Sequence, residues 1–109
     1  MQRMGMVIGI YPEKITEYKQ LHAQVWPAVT ARLKRSNISN YTIFLHQPEN
    51  LLFAYWEYNG KDFEKDRAKT AKDPDTQEWW KLCDPLQDPL ASRKDGEWWS
   101  RMGEIFHLD

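Results

Sequence analysis

The order of strand-like and helix-like hydrophobic patterns is the feature that most restricts how this chain can fold. Residues 4–11 alternate between two faces, and one face carries only apolar side chains: Met4, Met6, Ile8 and Ile10. Such alternation is typical of a strand with one packed face. Gly5 and Gly9 in this strand indicate either a bend in the sheet or a ligand pocket, where another group comes close to the backbone.

A split helix and a hairpin follow this strand. Pro12 suits the first turn of a helix, and Pro27 should interrupt the helical pattern near Trp26 before it ends at Ser36-Asn37. Residues 41–46 and 51–58 are strand-like on either side of turn-forming residues, so they predict a hairpin. The second of these strands is mostly apolar, which predicts a central strand buried on both faces.

The remaining pattern completes an α+β fold. Residues 62–71 predict a polar surface helix, and Asp73-Pro74 opens another over residues 75–83. Residues 84–97 predict a loop without regular elements, and residues 98–108 a closing strand. The resulting β-α-β-β-α-β order predicts a ferredoxin-like antiparallel sheet with helices on one face, in a single domain of residues 1–109.

The other face of this sheet needs a cover. Several apolar or aromatic side chains exposed there would form a large patch in contact with water. We therefore expect a second copy of the chain to stack its own sheet against it, which makes the protein a homodimer.

Charge and composition argue against several classes of partner. The net charge is −1, from 15 basic and 16 acidic residues whose signs are interleaved, as in residues 61–67. This pattern is typical of a solvated helix face, whereas a nucleic-acid partner requires a basic patch. We expect no membrane segment or signal peptide, because no apolar run approaches 18 residues. The single Cys83 cannot form an internal disulfide, which fits a cytoplasmic location.

One pair of residues on the first helix combines a phenol with an imidazole. Tyr18 and His22 are four residues apart, so they lie on the same helical face. His22 is the only group on the apolar stripe of that helix that titrates near neutral pH, and an unperturbed pKa of about 6.5 suits a general acid or base. A histidine in this setting can equally be a hydrogen-bonded core residue, and the pattern alone leaves both interpretations open.

Other kinds of catalytic site have little support in the sequence. His22, His46 and His107 lie on three different elements without the spacing of a zinc site, so we expect no metal. Cys83 has no neighbouring histidine that would activate a nucleophile. There is no glycine-rich loop for a phosphate, which argues against a nucleotide cofactor.

Aromatic residues remain as the candidate binding groups. The chain has six tryptophans, and the pairs Trp79-Trp80 and Trp98-Trp99 each direct two indoles to different sides. Indoles stack on the C–H faces of sugars, while phenol and imidazole groups such as those of Tyr18, Tyr41 and His22 bind hydroxyls. The combination therefore favours a neutral, polyhydroxylated ligand.

Five short motifs resemble the L-rhamnose mutarotase family. They are His22-Ala-Gln-Val-Trp26-Pro27, Asn40-Tyr41-Thr-Ile-Phe, Asn50-Leu-Leu-Phe-Ala, Trp79-Trp80-Lys81 and the ending Glu104-Ile-Phe-His-Leu. The resemblance covers nearly the whole chain in one register. It implies the dimeric α+β barrel type of fold. It also implies an enzyme that needs no cofactor and interconverts the α and β anomers of a 6-deoxy-L-hexose, with L-rhamnose as the first candidate.

The resemblance also implies roles for individual residues. His22 would be the catalytic acid, and Tyr18, Tyr41, Trp79 and Trp80 would hold the monosaccharide. Residues 84–97 do not match the rhamnose pattern, so L-fucose stays open as an alternative substrate. The same fold also hosts cofactor-independent monooxygenases of small aromatic substrates, and a sugar-binding protein without catalysis is a further alternative.

Overall fold

The computed structural model describes all 109 residues, with five strands and four helices. In chain order these are β1 (Gln2–Ile10), α1 (Ile15–Ala23), α2 (Pro27–Arg35), β2 (Ile38–His46), β3 (Leu51–Tyr58), α3 (Phe63–Lys72), α4 (Pro74–Cys83), β4 (Gln87–Asp88) and β5 (Ser100–Met102). Short 3₁₀ turns precede α1 and β4. None of the helices has both the length and the apolar character needed to cross a bilayer.

The strands form one antiparallel sheet in the order β2-β3-β1-β4. β1 pairs along its length with β3 on one side. On its other side, β4 pairs with Gly9 and Ile10, and β5 pairs with residues 5–7. The predicted ferredoxin-like α+β arrangement is confirmed, with the outer position beside β1 divided between two short strands.

The helices cover one face of the sheet. The alternation predicted for β1 is confirmed, because Met4, Met6, Ile8 and Ile10 are all buried. β3 is central, but the expectation that both of its faces are buried is wrong for the single chain. Leu52, Ala54 and Tyr58 are buried and its other residues are half-buried, because the helices pack on one side only. Phe44 of β2, which pairs with Phe53, is 61% exposed on the other side.

Proline and capping residues set the helix boundaries, as predicted for Pro27 and Asp73. α1 ends at Ala23, and α2 begins at Pro27 after Trp26 takes an extended conformation. The carboxylate of Asp62 accepts the Lys65 backbone N–H at 3.2 Å, which caps α3. Asp73 caps α4 in the same way.

The C-terminal quarter differs from the prediction. Residues 84–97, expected to lack regular elements, contain a 3₁₀ turn and β4. The predicted strand over residues 98–108 is real only at Ser100–Met102. Beyond Gly103 the chain has no partner strand to complete a ladder, and its apolar residues are exposed, Ile105 by 99%.

Gly9 marks a close approach of backbone. A Cβ atom at Gly9 would lie 2.5 Å from the carbonyl oxygen of Asp88. A side chain there would push β4 away from β1. The group that comes close to this glycine is strand β4, so sheet geometry and not a ligand pocket accounts for Gly9.

Candidate active site

A cavity of about 200 Å³ lies between α1 and the sheet. Its lining is mostly apolar, with polar groups contributed by α1. The lining residues are Ile10, Ile15, Tyr18, Lys19, His22, Ile43, Phe44, Leu45 and Leu52. The helical spacing that places Tyr18 and His22 on one face therefore directs both residues to this cavity.

His22 is held by its own helix and by two aromatic rings. Its Nδ1 lies 2.9 Å from the backbone carbonyl oxygen of Tyr18. The imidazole stacks on the Tyr18 ring at a centroid distance of 4.1 Å and meets the edge of Trp79 at 5.4 Å. Nε2 has no hydrogen-bond partner within the chain. The ring is therefore fixed, and one nitrogen is left free.

The carbonyl contact determines the protonation pattern of this imidazole. A carbonyl oxygen can only accept, so Nδ1 carries the hydrogen and the lone pair of the neutral ring is on Nε2. Burial lowers the pKa of His22 from the ordinary value of 6.5, and the bond to the Tyr18 carbonyl offsets only part of that shift. At neutral pH, His22 is thus a neutral base at Nε2.

The Tyr18 hydroxyl belongs to a buried hydrogen-bonded chain. Its oxygen accepts a hydrogen bond from Nε2 of Gln87, with the two atoms 3.0 Å apart. Oε1 of Gln87 in turn accepts the indole N–H of Trp98 at 2.7 Å. Burial raises the pKa of Tyr18 well above its ordinary value of 10, with Tyr41, Cys83 and Asp84 adding to the shift. Tyr18 is therefore a neutral phenol at every physiological pH.

Tyr41 of β2, the second phenol of the predicted site, packs outside the cavity lining. Its ring packs on Trp56 at a centroid distance of 5.0 Å. The residue is 39% exposed, but burial of its hydroxyl raises its pKa to about 12. Cys83 belongs to the same core cluster as Tyr18, and burial raises the pKa of its thiol to about 12. The thiol stays protonated, so it does not supply a nucleophile.

The two tryptophans of α4 have different surroundings. Trp79 is buried and meets His22 and Trp26 edge to face. Trp80 is 39% exposed. The pair divides between two environments as expected for helical neighbours, and Trp79 supports the imidazole while Trp80 keeps a free ring surface.

The structure brings most of the predicted site residues together. Tyr18 and Trp79 both contact His22 directly, whereas Tyr41 and Trp80 are not among the residues that line the cavity. Gln87 was not predicted, because it falls in the expected loop and contacts Tyr18 across 69 residues of chain. No three His, Cys, Asp or Glu side chains come together as a group that could hold a metal ion.

The fold and the site together define a ferredoxin-like α+β protein whose first helix presents a histidine and a tyrosine to a cavity above the sheet. The family model for L-rhamnose mutarotase matches residues 3–108. The chain therefore belongs to the L-rhamnose mutarotase family.

Comparison with individual proteins agrees with this assignment. The L-rhamnose mutarotase of Oceanobacillus iheyensis is 36% identical over 109 residues, and that of Bacillus subtilis is 38% identical over 118 residues. Both alignments cover 100% of each chain. The crystal structure of an L-rhamnose mutarotase from Formosa agariphila superposes with a TM-score of 0.78 at 21% identity over 100% of both chains, which supports the fold.

Proposed function

We propose that the protein is an isomerase that interconverts the α and β anomers of L-rhamnose. Membership of the L-rhamnose mutarotase family supports this proposal. Within the site, the observation that carries it is that His22, with Nε2 free, and Tyr18, with its hydroxyl neutral, stack on each other and line the same cavity. Ring opening needs both a proton acceptor and a hydrogen-bond donor at neighbouring oxygens.

The proposed reaction uses these two groups in sequence. Nε2 of His22 takes the proton of the anomeric hydroxyl while the bond from C1 to the ring oxygen breaks, and that electron pair stays on the ring oxygen. Tyr18 donates a hydrogen bond to this developing negative charge. The ring oxygen then takes a proton from the imidazolium or a water. After rotation about the C1–C2 bond, the same steps in reverse close the other anomer, so His22 acts as base and as acid.

The remaining site residues are assigned to substrate binding. Tyr41 contacts a sugar hydroxyl, and the free ring of Trp80 stacks on a C–H face of the pyranose. Trp79 holds the imidazole against movement through its edge contact. The apolar lining of the cavity suits the methyl group and C–H surface of a deoxysugar, and no cofactor is needed for these steps.

Saturation-transfer NMR tests the proposed activity. Irradiation of one anomeric proton of L-rhamnose should decrease the signal of the other anomer when the protein is added. If the protein accelerates anomer exchange of L-fucose and not of L-rhamnose, the proposed reaction stands and the substrate is L-fucose. A ligand-induced change in tryptophan fluorescence without faster exchange would favour a sugar-binding protein, and no response to any sugar in a panel of L- and D-sugars would favour another class of substrate.

We also propose that the protein is a homodimer that buries the open face of the sheet. Phe44 is 61% exposed and Met102 is 43% exposed on this face, and the tail beyond Gly103 exposes further apolar side chains. Sheet-to-sheet packing would remove this surface from water. Sedimentation velocity should give a dimer for the native protein and a monomer for Phe44→Asp. Ala68→Asp, on the exposed surface of α3, should stay dimeric.

We propose that the protein is cytoplasmic. Cys83 is a buried free thiol, and its raised pKa keeps it protonated. A single unpaired cysteine is typical of proteins in a reducing compartment. Fractionation of cells that express the tagged protein tests this location, and recovery from the periplasmic or secreted fraction would contradict it.

A further inference from the structure

We propose that Gln87 and Trp98 are positioning residues that hold the Tyr18 hydroxyl as a hydrogen-bond donor toward the bound sugar. Neither residue lines the cavity, so both act through Tyr18. The inference rests on the proposed function for its catalytic consequence. The hydrogen-bond polarity itself follows from the side-chain chemistry of the three residues.

Trp98 determines the direction of the hydrogen bonds in this chain of three side chains. An indole N–H can only donate, so the atom of Gln87 that lies 2.7 Å from Nε1 of Trp98 must be the amide oxygen. The two ends of the amide are thereby assigned. The amide nitrogen, which is only a donor, faces the Tyr18 hydroxyl at 3.0 Å.

This arrangement leaves the Tyr18 hydrogen free. Since the oxygen of Tyr18 accepts from Gln87, its own O–H must point elsewhere. No acceptor within the chain takes that hydrogen. Tyr18 lines the cavity and its raised pKa keeps it protonated, so the free O–H is available to an oxygen of a ligand. If the amide were flipped, Tyr18 would donate to the protein and the ligand would lose its donor.

The backbone holds Gln87 in this position. Gln87 is buried and pairs with Ile10, at the end of β1 that precedes α1. The absence of a side chain at Gly9 allows β4 to come this close. Together with His22, whose carbonyl contact leaves an acceptor at Nε2, the site presents one fixed donor and one fixed acceptor.

Gln87→Glu is the sharpest test. It reverses the direction of the hydrogen bond between residue 87 and Tyr18, while the side chain keeps nearly the same shape. The introduced carboxylate still accepts the Trp98 N–H. On the other side it accepts from Tyr18 and so withdraws the donor from the sugar. We expect kcat for anomer exchange to fall about 10- to 100-fold, with KM little changed, since the interaction is strongest as charge develops on the ring oxygen.

The pH profile of this variant separates positioning from a purely structural role. When the introduced carboxyl is protonated it again donates to Tyr18, as the amide does. The ratio of the Gln87→Glu rate to the native rate should therefore rise as pH falls. A ratio that stays constant over about pH 4.5–8, or a variant with the native rate, would overturn the proposal. Gln2→Glu makes the same change at the exposed far end of β1, and its ratio should stay near one.

A second measurement does not depend on activity. The indole N–H resonance of Trp98 should keep its hydrogen-bonded position in Gln87→Glu and move upfield in Gln87→Met. An unchanged resonance in Gln87→Met would show that the hydrogen-bonded chain does not form. If the native protein exchanges no sugar while this resonance behaves as expected, the proposed function fails and the polarity assignment stands.

Non-additivity gives the final test. In a Tyr18→Phe background, Gln87→Glu should lower the rate no further, because the group it acts on is gone. If the double variant instead loses rate by the product of the two single-variant factors, Gln87 does not act through Tyr18, and the proposal would be wrong.

Discussion

Two buried tyrosines at opposite ends of the sheet use their hydroxyls differently. Tyr58 donates to a carboxylate oxygen of Asp66 at 2.6 Å and accepts the backbone N–H of Asp62 at 3.0 Å. Tyr18 accepts from Gln87 and donates to nothing in the chain. Both residues are almost completely buried. A hydroxyl that is satisfied in both directions stabilises the fold, whereas one with a free hydrogen is available to a ligand.

The surroundings of Tyr58 support a structural role. Asp66 also accepts from Asn37 at 3.0 Å, and the adjacent Ser36 and Thr70 hydroxyls share a hydrogen bond of 2.6 Å. These bonds connect α3 to the ends of α2 and β3. The bond from Tyr58 is the main reason that the pKa of Asp66 is lowered. The contrast with Tyr18 leads to four predictions.

The largest effect is expected from His22→Ala. Removing the base should lower the rate of anomer exchange by about 10²- to 10⁴-fold, the usual contribution of one positioned acid or base. Circular dichroism and sedimentation should show an intact fold. A folded variant that exchanges anomers at the native rate would remove His22 from the mechanism.

Tyr18→Phe should lower the rate by about 10²-fold, at the lower limit for loss of one preorganised donor. The ring remains, so its stacking on His22 is kept, and the melting temperature should fall by less than in Tyr58→Phe because one hydrogen bond is lost instead of two. Tyr58→Phe is the matched control for rate. Equal losses of rate in both variants would contradict the assignment of Tyr18 to ligand binding and of Tyr58 to stability.

The pH dependence should follow His22. Its pKa is lowered, so the imidazole is neutral at pH 7 and gains a proton only below 6.5. The rate should be constant above that pH and fall about tenfold per pH unit once the pH is below the pKa. His46→Ala, at an exposed position in β2, should leave this profile unchanged. A rate that increases on acidification would contradict a neutral base.

The smallest effect is expected from Tyr58→Phe, on stability alone. Loss of its hydrogen bonds should lower the melting temperature by roughly 4–8 °C in a chain of this size. Since the pKa of Asp66 is lowered by Tyr58, that stabilisation is present above 3.8 and is lost as pH falls through the folded-state pKa. The difference in melting temperature from the native protein should therefore shrink in acid.

The elements built from local patterns could be predicted from the sequence. Alternation identified β1, Pro27 identified the break between α1 and α2, and Asp73 identified the start of α4. The four-residue spacing placed Tyr18 and His22 together on one face. Each of these rests on residues that are neighbours along the chain.

The features that depend on long-range pairing could not be predicted. β4 has two residues and exists because Gly9 leaves room for it beside β1. The predicted closing strand stops at Met102 because pairing with β1 ends there, although its apolar residues continue. Gln87 has no local pattern at all, and its contact with Tyr18 is fixed only by the assembled sheet.

The close approach of β4 to Gly9 makes the site sensitive to substitution at a residue that does not touch the cavity. Any side chain there displaces the strand that carries Gln87, and through it the orientation of a hydroxyl on another element. A mutational scan scored by turnover should therefore rank this glycine beside the reactive groups, although it has no functional group to offer a substrate.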